Sequence, residues 1–253
     1  MVRRARGTIV SWESGSLWLM RTFATAPQKT SPHAHHAIQV TIGLEGAFGF
    51  EVDGRVVRGE AVAIAPHTRH TFELQGSAAH LFFEPDGRLG RAASAALFAE
   101  HDVVTLPPSM LAQTRALATT LRAGKTNRAA LVTLGRAFVE HLAGQTTPAP
   151  TDFRVQRMIA WSERQLSGPI GLAEAADAVG LSPGRARHVF VEQVGLPFRA
   201  FLLWRRLNRA LELYGAQESL TRAAYLAGFS DSAHLSRTFR KMFGVAAAEL
   251  WLE

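Results

Sequence analysis

The sequence predicts an α+β chain of two domains: a small antiparallel β-barrel with a helical hairpin behind it, then an all-α domain holding two helix-turn-helix units. Three observations carry this. Short strand-like runs separated by turn residues fill the first hundred positions, and from Pro107 onward the apolar period lengthens to that of helices. Further on, Leu172-Ala-Glu-Ala-Ala-Asp-Ala-Val-Gly180-Leu-Ser returns in altered form as Leu220-Thr-Arg-Ala-Ala-Tyr-Leu-Ala-Gly228-Phe-Ser. At 253 residues the chain exceeds one ordinary domain, and a 47% hydrophobic content can fill sizeable cores. No apolar run approaches membrane-spanning length, and no hydrophobic signal core follows the basic Met-Val-Arg-Arg-Ala-Arg start, so the expected compartment is the cytoplasm, with no membrane partner. The absence of cysteine excludes disulfides, thiol redox sensing and thiolate metal ligation.

Residues 1–105 make the first domain. Ala37-Ile-Gln-Val-Thr-Ile-Gly-Leu44, Ala47-Phe-Gly-Phe-Glu-Val52, Ala61-Val-Ala-Ile-Ala65 and His80-Leu-Phe-Phe83 read as strands, with a turn at Gly43-Leu-Glu-Gly46 and a tight hairpin at Asp53-Gly54. Trp12 and Trp18 precede the barrel and suit a flap or an extra strand. Large apolar residues such as Ile38, Val40, Phe50, Ile64 and Phe72 supply the core or line an interior, which strand phase alone does not separate. Two histidine-bearing stretches stand out, His33-Ala-His35-His36-Ala-Ile-Gln39 and Pro66-His-Thr-Arg-His70.

Together these stretches resemble the two motifs of the cupin fold. In metal-binding cupins the first motif brings two histidines and a glutamate and the second a further histidine, so the resemblance places His33, His35, Gln39 and His70 at the ligand positions. Here glutamine replaces glutamate, which removes a negative charge. Three imidazoles and an amide oxygen still suit a divalent metal such as Zn, Cu, Fe or Ni; equally, the same four residues can line a cavity that binds a small effector without metal. His36 and His67 read as exposed strand-end or turn residues, and His80 as a core or pocket residue.

Residues 106–145 read as two helices, about 109–123 and 127–143, with Leu111, Leu117, Leu121, Leu131, Phe138 and Leu142 among the members of an apolar stripe. Their place between the domains suggests self-association as a homodimer; the alternative is that the hairpin packs on the barrel. The linker falls in 146–152, marked by Gln145-Thr-Thr-Pro-Ala-Pro-Thr151.

Residues 153–253 make the second domain. Each repeat has a short helix with small apolar residues on one face, a glycine at a sharp turn, then serine as an N-cap for a second helix. The first such reading helix begins at Ser182-Pro183 and presents Arg185, Arg187 and His188; the second begins at Ser230 and presents Ser232, His234, Ser236, Arg237 and Arg240. The glycines lie 48 residues apart, whereas Phe190 and Phe239 lie 49 apart, so the second reading helix has gained a residue near its start. Between the units Pro197–Tyr214 reads as a rigid helix, with Arg205, Arg206 and Arg209 adding positive charge. Such a spacer would set the reading helices about 34 Å apart, one turn of B-DNA. Lys+Arg against Asp+Glu is 13 against 9 in residues 153–253 and 15 against 12 in residues 1–152, giving +4 and +3 of the net +7. The sign favours nucleic acid less through its size than through its placement on the second helix of each pair.

This arrangement resembles the DNA-binding domain of the AraC/XylS family of bacterial transcription regulators, from about Val155 to Leu250. Its most specific part is Ala223-Ala-Tyr-Leu-Ala-Gly-Phe-Ser-Asp-Ser-Ala-His-Leu-Ser-Arg-Thr-Phe-Arg-Lys-Met-Phe-Gly244. The resemblance implies double-stranded promoter DNA and RNA polymerase as partners, a small-molecule effector sensed by the cupin-like domain, activation of transcription, and no catalytic residue. Members of that family usually carry a proline soon after the terminal Phe-Gly, where this chain has Ala246-Ala-Ala-Glu-Leu-Trp251, which bears on how the last helix stops. Two other readings compete: a metal-dependent cupin enzyme or metal sensor tethered to DNA, and a regulator that needs no effector.

Overall fold

The computed structural model describes residues 4–12, 14–124, 126–144, 152–216 and 218–252. They divide into two compact units, Met1–Thr147 with Ser236–Glu253, and Pro148–Leu235. The expected linker, 146–152, lies outside the described residues apart from Asp152 at its end.

The first unit is built on one sheet: β1 (Ala5–Trp12), β2 (Gly15–Thr22), β3 (Gln28–Lys29), β4 (Ile38–Val52), β5 (Arg55–Val57), β6 (Ala61–Ile64), β7 (Thr71–Phe83), β8 (Val103–Thr105) and β9 (Leu250–Leu252). Its order is β8-β6-β4-β7-β2-β1-β9, with β3 on β7 and β5 on β4, so the barrel is left open. Neighbours run antiparallel except β1 and β9, which pair in parallel from Ala5↔Leu250 to Gly7↔Leu252. The residues around Trp12 and Trp18 form a full hairpin, β1–β2, rather than a flap. The Asp53-Gly54 turn is as expected, with φ of 49° and 75° and Val52 facing Arg55.

Two expected boundaries moved. No turn breaks the chain at residues 43–46: β4 runs on for 15 residues, with a register shift between Gly43 and Glu45 that makes a β-bulge. The reason is a pair of facing glycines, Gly46 at φ +73° and Gly76 at φ +108°, whose backbones approach too closely for side chains, so the strand pair bends without ending. The short run expected at His80–Phe83 is likewise the end of the 13-residue β7.

The helices α1 (Arg88–Leu97), α2 (Pro108–Arg122) and α3 (Arg128–Ala143) accompany the sheet, the last capped by the Asn127 side chain accepting from Ala130 N at 2.9 Å. Leu117, Leu121, Leu131, Phe138 and Leu142 are buried in one core with Val10, Leu17, Val40 and Leu81 of the sheet. The apolar stripe of the hairpin is therefore consumed in packing on the sheet. Gly135 allows that contact, since a β-carbon there would lie 2.7 Å from the Trp12 ring.

The second unit contains α4 (Phe153–Arg164), α5 (Leu172–Asp177), α6 (Pro183–Val194), α7 (Phe198–Gly215) and α8 (Leu220–Leu226); α9 (Ser232–Phe243) starts in it and crosses the division. Phe190 of α6 sits 5.1 Å and 5.3 Å from Phe198 and Phe201 of α7, ring centroid to centroid, in a core that also takes Met158 and Ala175. Gly180 and Gly228, each the turn of its repeat, adopt φ of 70° and 84°, which disfavours any residue with a β-carbon. Ser182 caps α6 by accepting from Arg185 N at 3.3 Å. The cap of α9 is one residue later than expected: Asp231 accepts from His234 N at 2.6 Å, and Ser230 bonds to the Asp231 carboxylate instead. A carboxylate there also suits the positive end of the helix dipole. Although the expected proline is missing, α9 stops cleanly at Gly244, which turns to φ +69° and donates to Arg240 O at 2.9 Å. No helix among the described residues is long and apolar enough to cross a membrane.

Candidate nucleic-acid interface and effector pocket

Proline at the first helical position and the serine cap hold the start of α6 open, and from it Arg185, Arg187 and His188 project as exposed side chains. On α9, Arg237 is exposed; Ser232 and Ser236 are half-buried. His234 is half-buried too, with its ring 5.2 Å from Phe229 and Nδ1 3.3 Å from Ser230 Oγ, so part of its bonding capacity is spent inside the protein. Arg240 faces Glu249 at 3.4 Å. Arg185, Arg187 and Arg237 are thus the expected arginine readers left most available to DNA. The arginines of the connecting helix are occupied: Arg205 pairs with Glu163, Arg206 bonds two backbone carbonyls, and Arg209 pairs with Glu212 at 3.1 Å. Arg187, Arg199, Arg206 and His234 border one groove floored by Leu202 and Leu203, a cationic depression beside the reading helices. Nothing in the sequence sets Arg199 apart, because on the helical repeat it looks like any solvent-facing charge.

In the first unit, the bridge between His33 and His70 brings the two histidine motifs together. The ring centroids of His33 and His70 lie 4.2 Å apart and those of His35 and His70 5.3 Å apart. All three are buried, and a ring nitrogen from each comes within 4.8 Å of the others. Burial pushes the His33 imidazole down to about 4 and those of His35 and His70 to about 3, helped by the neighbouring rings, so all are neutral at pH 7. Each has its Nδ1 at a backbone carbonyl: Ser31 at 2.9 Å for His33, Ala37 at 3.0 Å for His35, Thr68 at 2.9 Å for His70. A neutral ring that donates from Nδ1 keeps a lone pair on Nε2. His70 Nε2 is buried with no hydrogen-bond partner.

Gln39 stands beside them. Its Oε1 is 2.9 Å from His35 Nε2, and its amide nitrogen donates to Thr41 Oγ1 at 3.0 Å. With the His35 proton on Nδ1, Nε2 and Oε1 are two acceptors face to face, a contact relieved by a cation held by both or by turning the amide over. His80, also pushed down to about 3 by burial, bonds Thr41 Oγ1 at 2.9 Å. Of these polar groups His33, Gln39 and His80 border an apolar cavity of about 100 Å³ walled by Trp18, Met20, Phe72, Leu74 and Phe82. Phe243, at the end of α9, also lines it, 4.8 Å from the Trp18 ring and 6.0 Å from that of His35.

One expectation fails here. His36 is buried, not exposed: its Nε2 meets Asp86 Oδ1 at 3.1 Å and its Nδ1 faces His67 Nε2 at 3.3 Å. The carboxylate comes from 50 residues further along the chain, beyond the reach of local patterning. His67 is exposed as expected, at a φ of 64° that few residues other than glycine adopt.

Comparison with known proteins agrees with the repeat. Residues 175–250 match the family model described as a helix-turn-helix domain. The C-terminal domain is of the AraC/XylS type. The chain aligns with the HTH-type transcriptional activator RhaS of Escherichia fergusonii at 32% identity over 101 residues, 40% of this chain and 36% of that protein. The match thus spans about a third of that relative's length. A longer alignment, with RhaS of Klebsiella pneumoniae, has 26% identity over 241 residues and covers 86% of each chain. In fold, the chain is similar to an apo variant of ToxT from Vibrio cholerae, with a TM-score of 0.61 at 10% identity over 95% of this chain and 97% of that one. The likeness extends to ToxT with an unsaturated fatty acid bound, at a TM-score of 0.55, 10% identity, and 93% and 95% coverage.

Proposed function

We propose that this chain is a DNA-binding transcriptional regulator, an activator, that responds to a small effector held in the cavity of its β-rich unit. The carrying observation is the duplicated helix-turn-helix, with left-handed glycines at both turns and exposed arginines on a capped helix after each. Two capped helices projecting guanidinium groups are suited to consecutive major-groove contacts on promoter DNA. The activator sense rests on the RhaS relatives. The effector reading rests on the apolar cavity with a few convergent polar groups, and on the fatty acid bound by ToxT, a protein of similar fold. We assign no catalytic step, and take RNA polymerase, a second copy of the chain and the cytoplasm as its setting.

The test is selection of binding sites from random duplex DNA with the full chain, repeated with Arg187→Ala and Arg237→Ala. A two-part consensus is expected, and each variant should relax one position of it at a cost of about 1–3 kcal/mol if its guanidinium grips guanine. Recovery of no consensus by the unaltered protein would refute the reading.

A second reading concerns metal at His33, His35 and His70, with Gln39 as a weak fourth ligand. It is favoured by three neutral imidazoles with Nδ1 already engaged and by the unpartnered Nε2 of His70. The donor set fits a borderline divalent ion, and the carbonyl bonds would hold the rings in the ligating tautomer. Such an ion would supply an electrophilic centre against which an effector's oxygen could dock. Elemental mass spectrometry of protein purified without chelators should find near-stoichiometric metal that His70→Ala loses; equal content in both would rule the site out.

A further inference from the structure

The two helix-turn-helix repeats meet at a backbone junction that a helical spacer alone does not explain. Leu166–Gly168 leads from α4 into the first repeat, and α7 passes beside it. From α7 the half-buried Arg206 donates through Nε to Leu166 O at 2.9 Å and through Nη2 to Gly168 O at 2.7 Å. The turn of the second repeat closes on the same point: a β-carbon on Gly228 would lie 2.5 Å from Leu166 O and 2.9 Å from Arg206 Nε. One guanidinium therefore grips the approach to the first repeat and leaves the turn glycine of the second no room for a side chain. A helical spacer sets distance along its axis; it leaves short helices at either end free to pivot. A planar fork bonded to two carbonyls removes that freedom, and neither lysine nor an apolar side chain can reproduce it.

We infer that Arg206 is a positioning residue for DNA readout: by locking the two repeats at this junction, it sets the angle between α6 and the start of α9 and hence the base-pair spacing the protein accepts between half-sites. The inference rests on the DNA-binding reading above. One inserted base pair shifts the second half-site by about 3.4 Å and turns it by about 35° around the duplex, more than a rigid reader tolerates.

The experiment uses the full chain and synthetic duplexes carrying the selected half-sites at the preferred spacing and with one base pair added or removed. The unaltered protein should lose about tenfold or more in affinity on either change. Arg206→Lys, which keeps the charge, and Arg206→Met should bind the preferred spacing a few-fold more weakly yet distinguish the three duplexes by less than about threefold. Gly228→Ala attacks the junction from the other side and should relax spacing in the same way; thermal melting identifies any variant that fails to fold, in which case the remaining ones decide. Folded variants that weaken on all three duplexes in proportion, with spacing preference intact, would overturn the inference. Absence of any selected sequence for the unaltered protein would take down the DNA-binding reading, and this inference with it.

Discussion

At the scale of single residues, the β-rich unit is a store of neutral imidazole. His33, His35, His70 and His80 are all held well below 6.5 because burial disfavours their charged form. In the unfolded chain each would titrate near 6.5. Above that pH both states are neutral and stability is complete; as pH falls from about 6.5 towards 3–4, the unfolded chain takes up protons the folded one refuses. Each histidine then costs about 1.4 kcal/mol of stability per pH unit. Thermal melting should therefore drop steeply between pH 7 and pH 5, and His80→Leu should flatten the drop. A melting midpoint insensitive to pH over that range would show that these rings protonate without unfolding. Arg206 teaches the opposite lesson about charge: a guanidinium that by composition counts toward DNA affinity is spent on two backbone carbonyls.

At the scale of elements, the hairpin α2–α3 shows how one stripe suits two roles. Leucines at helical spacing satisfy a dimer interface and a domain core equally well. Here the core claims them: Leu142 has no exposed surface and packs with Leu17, Val40 and Leu81. Leu142→Ala should destabilise the chain by about 2–5 kcal/mol in chemical denaturation. If the stripe packs within one chain, that loss is independent of protein concentration; a loss that grows on dilution would return the stripe to self-association. The bulge in β4 is a second instance. Gly43-Leu-Glu-Gly46 has the composition of a turn, but the partner glycine on β7 lets the strand bend and continue.

At the scale of the whole molecule, the net charge of +7 is spread over the chain, so affinity for DNA should depend on a few placed cations rather than on a general field. Each phosphate neutralised contributes a slope of about −0.9 in log affinity against log salt. Arg199→Ala, in the groove beside the reading helices, should weaken binding to all sequences alike and reduce that slope by about 1 in fluorescence titrations at varied salt. An unchanged slope would place Arg199 off the DNA. The sequence by itself determined the order of β-rich and helical parts, the duplicated repeat with its turn glycines, and the presence of two histidine motifs. Those are local or periodic signals, written in residues close along the chain. Only the tertiary structure decided that His36 meets Asp86, that the hairpin stripe is core, that β9 joins β1, and that Arg206 ties the repeats together. Each of these is a contact between residues far apart in sequence, settled by which surfaces the fold brings together and leaves room for; no local pattern encodes that.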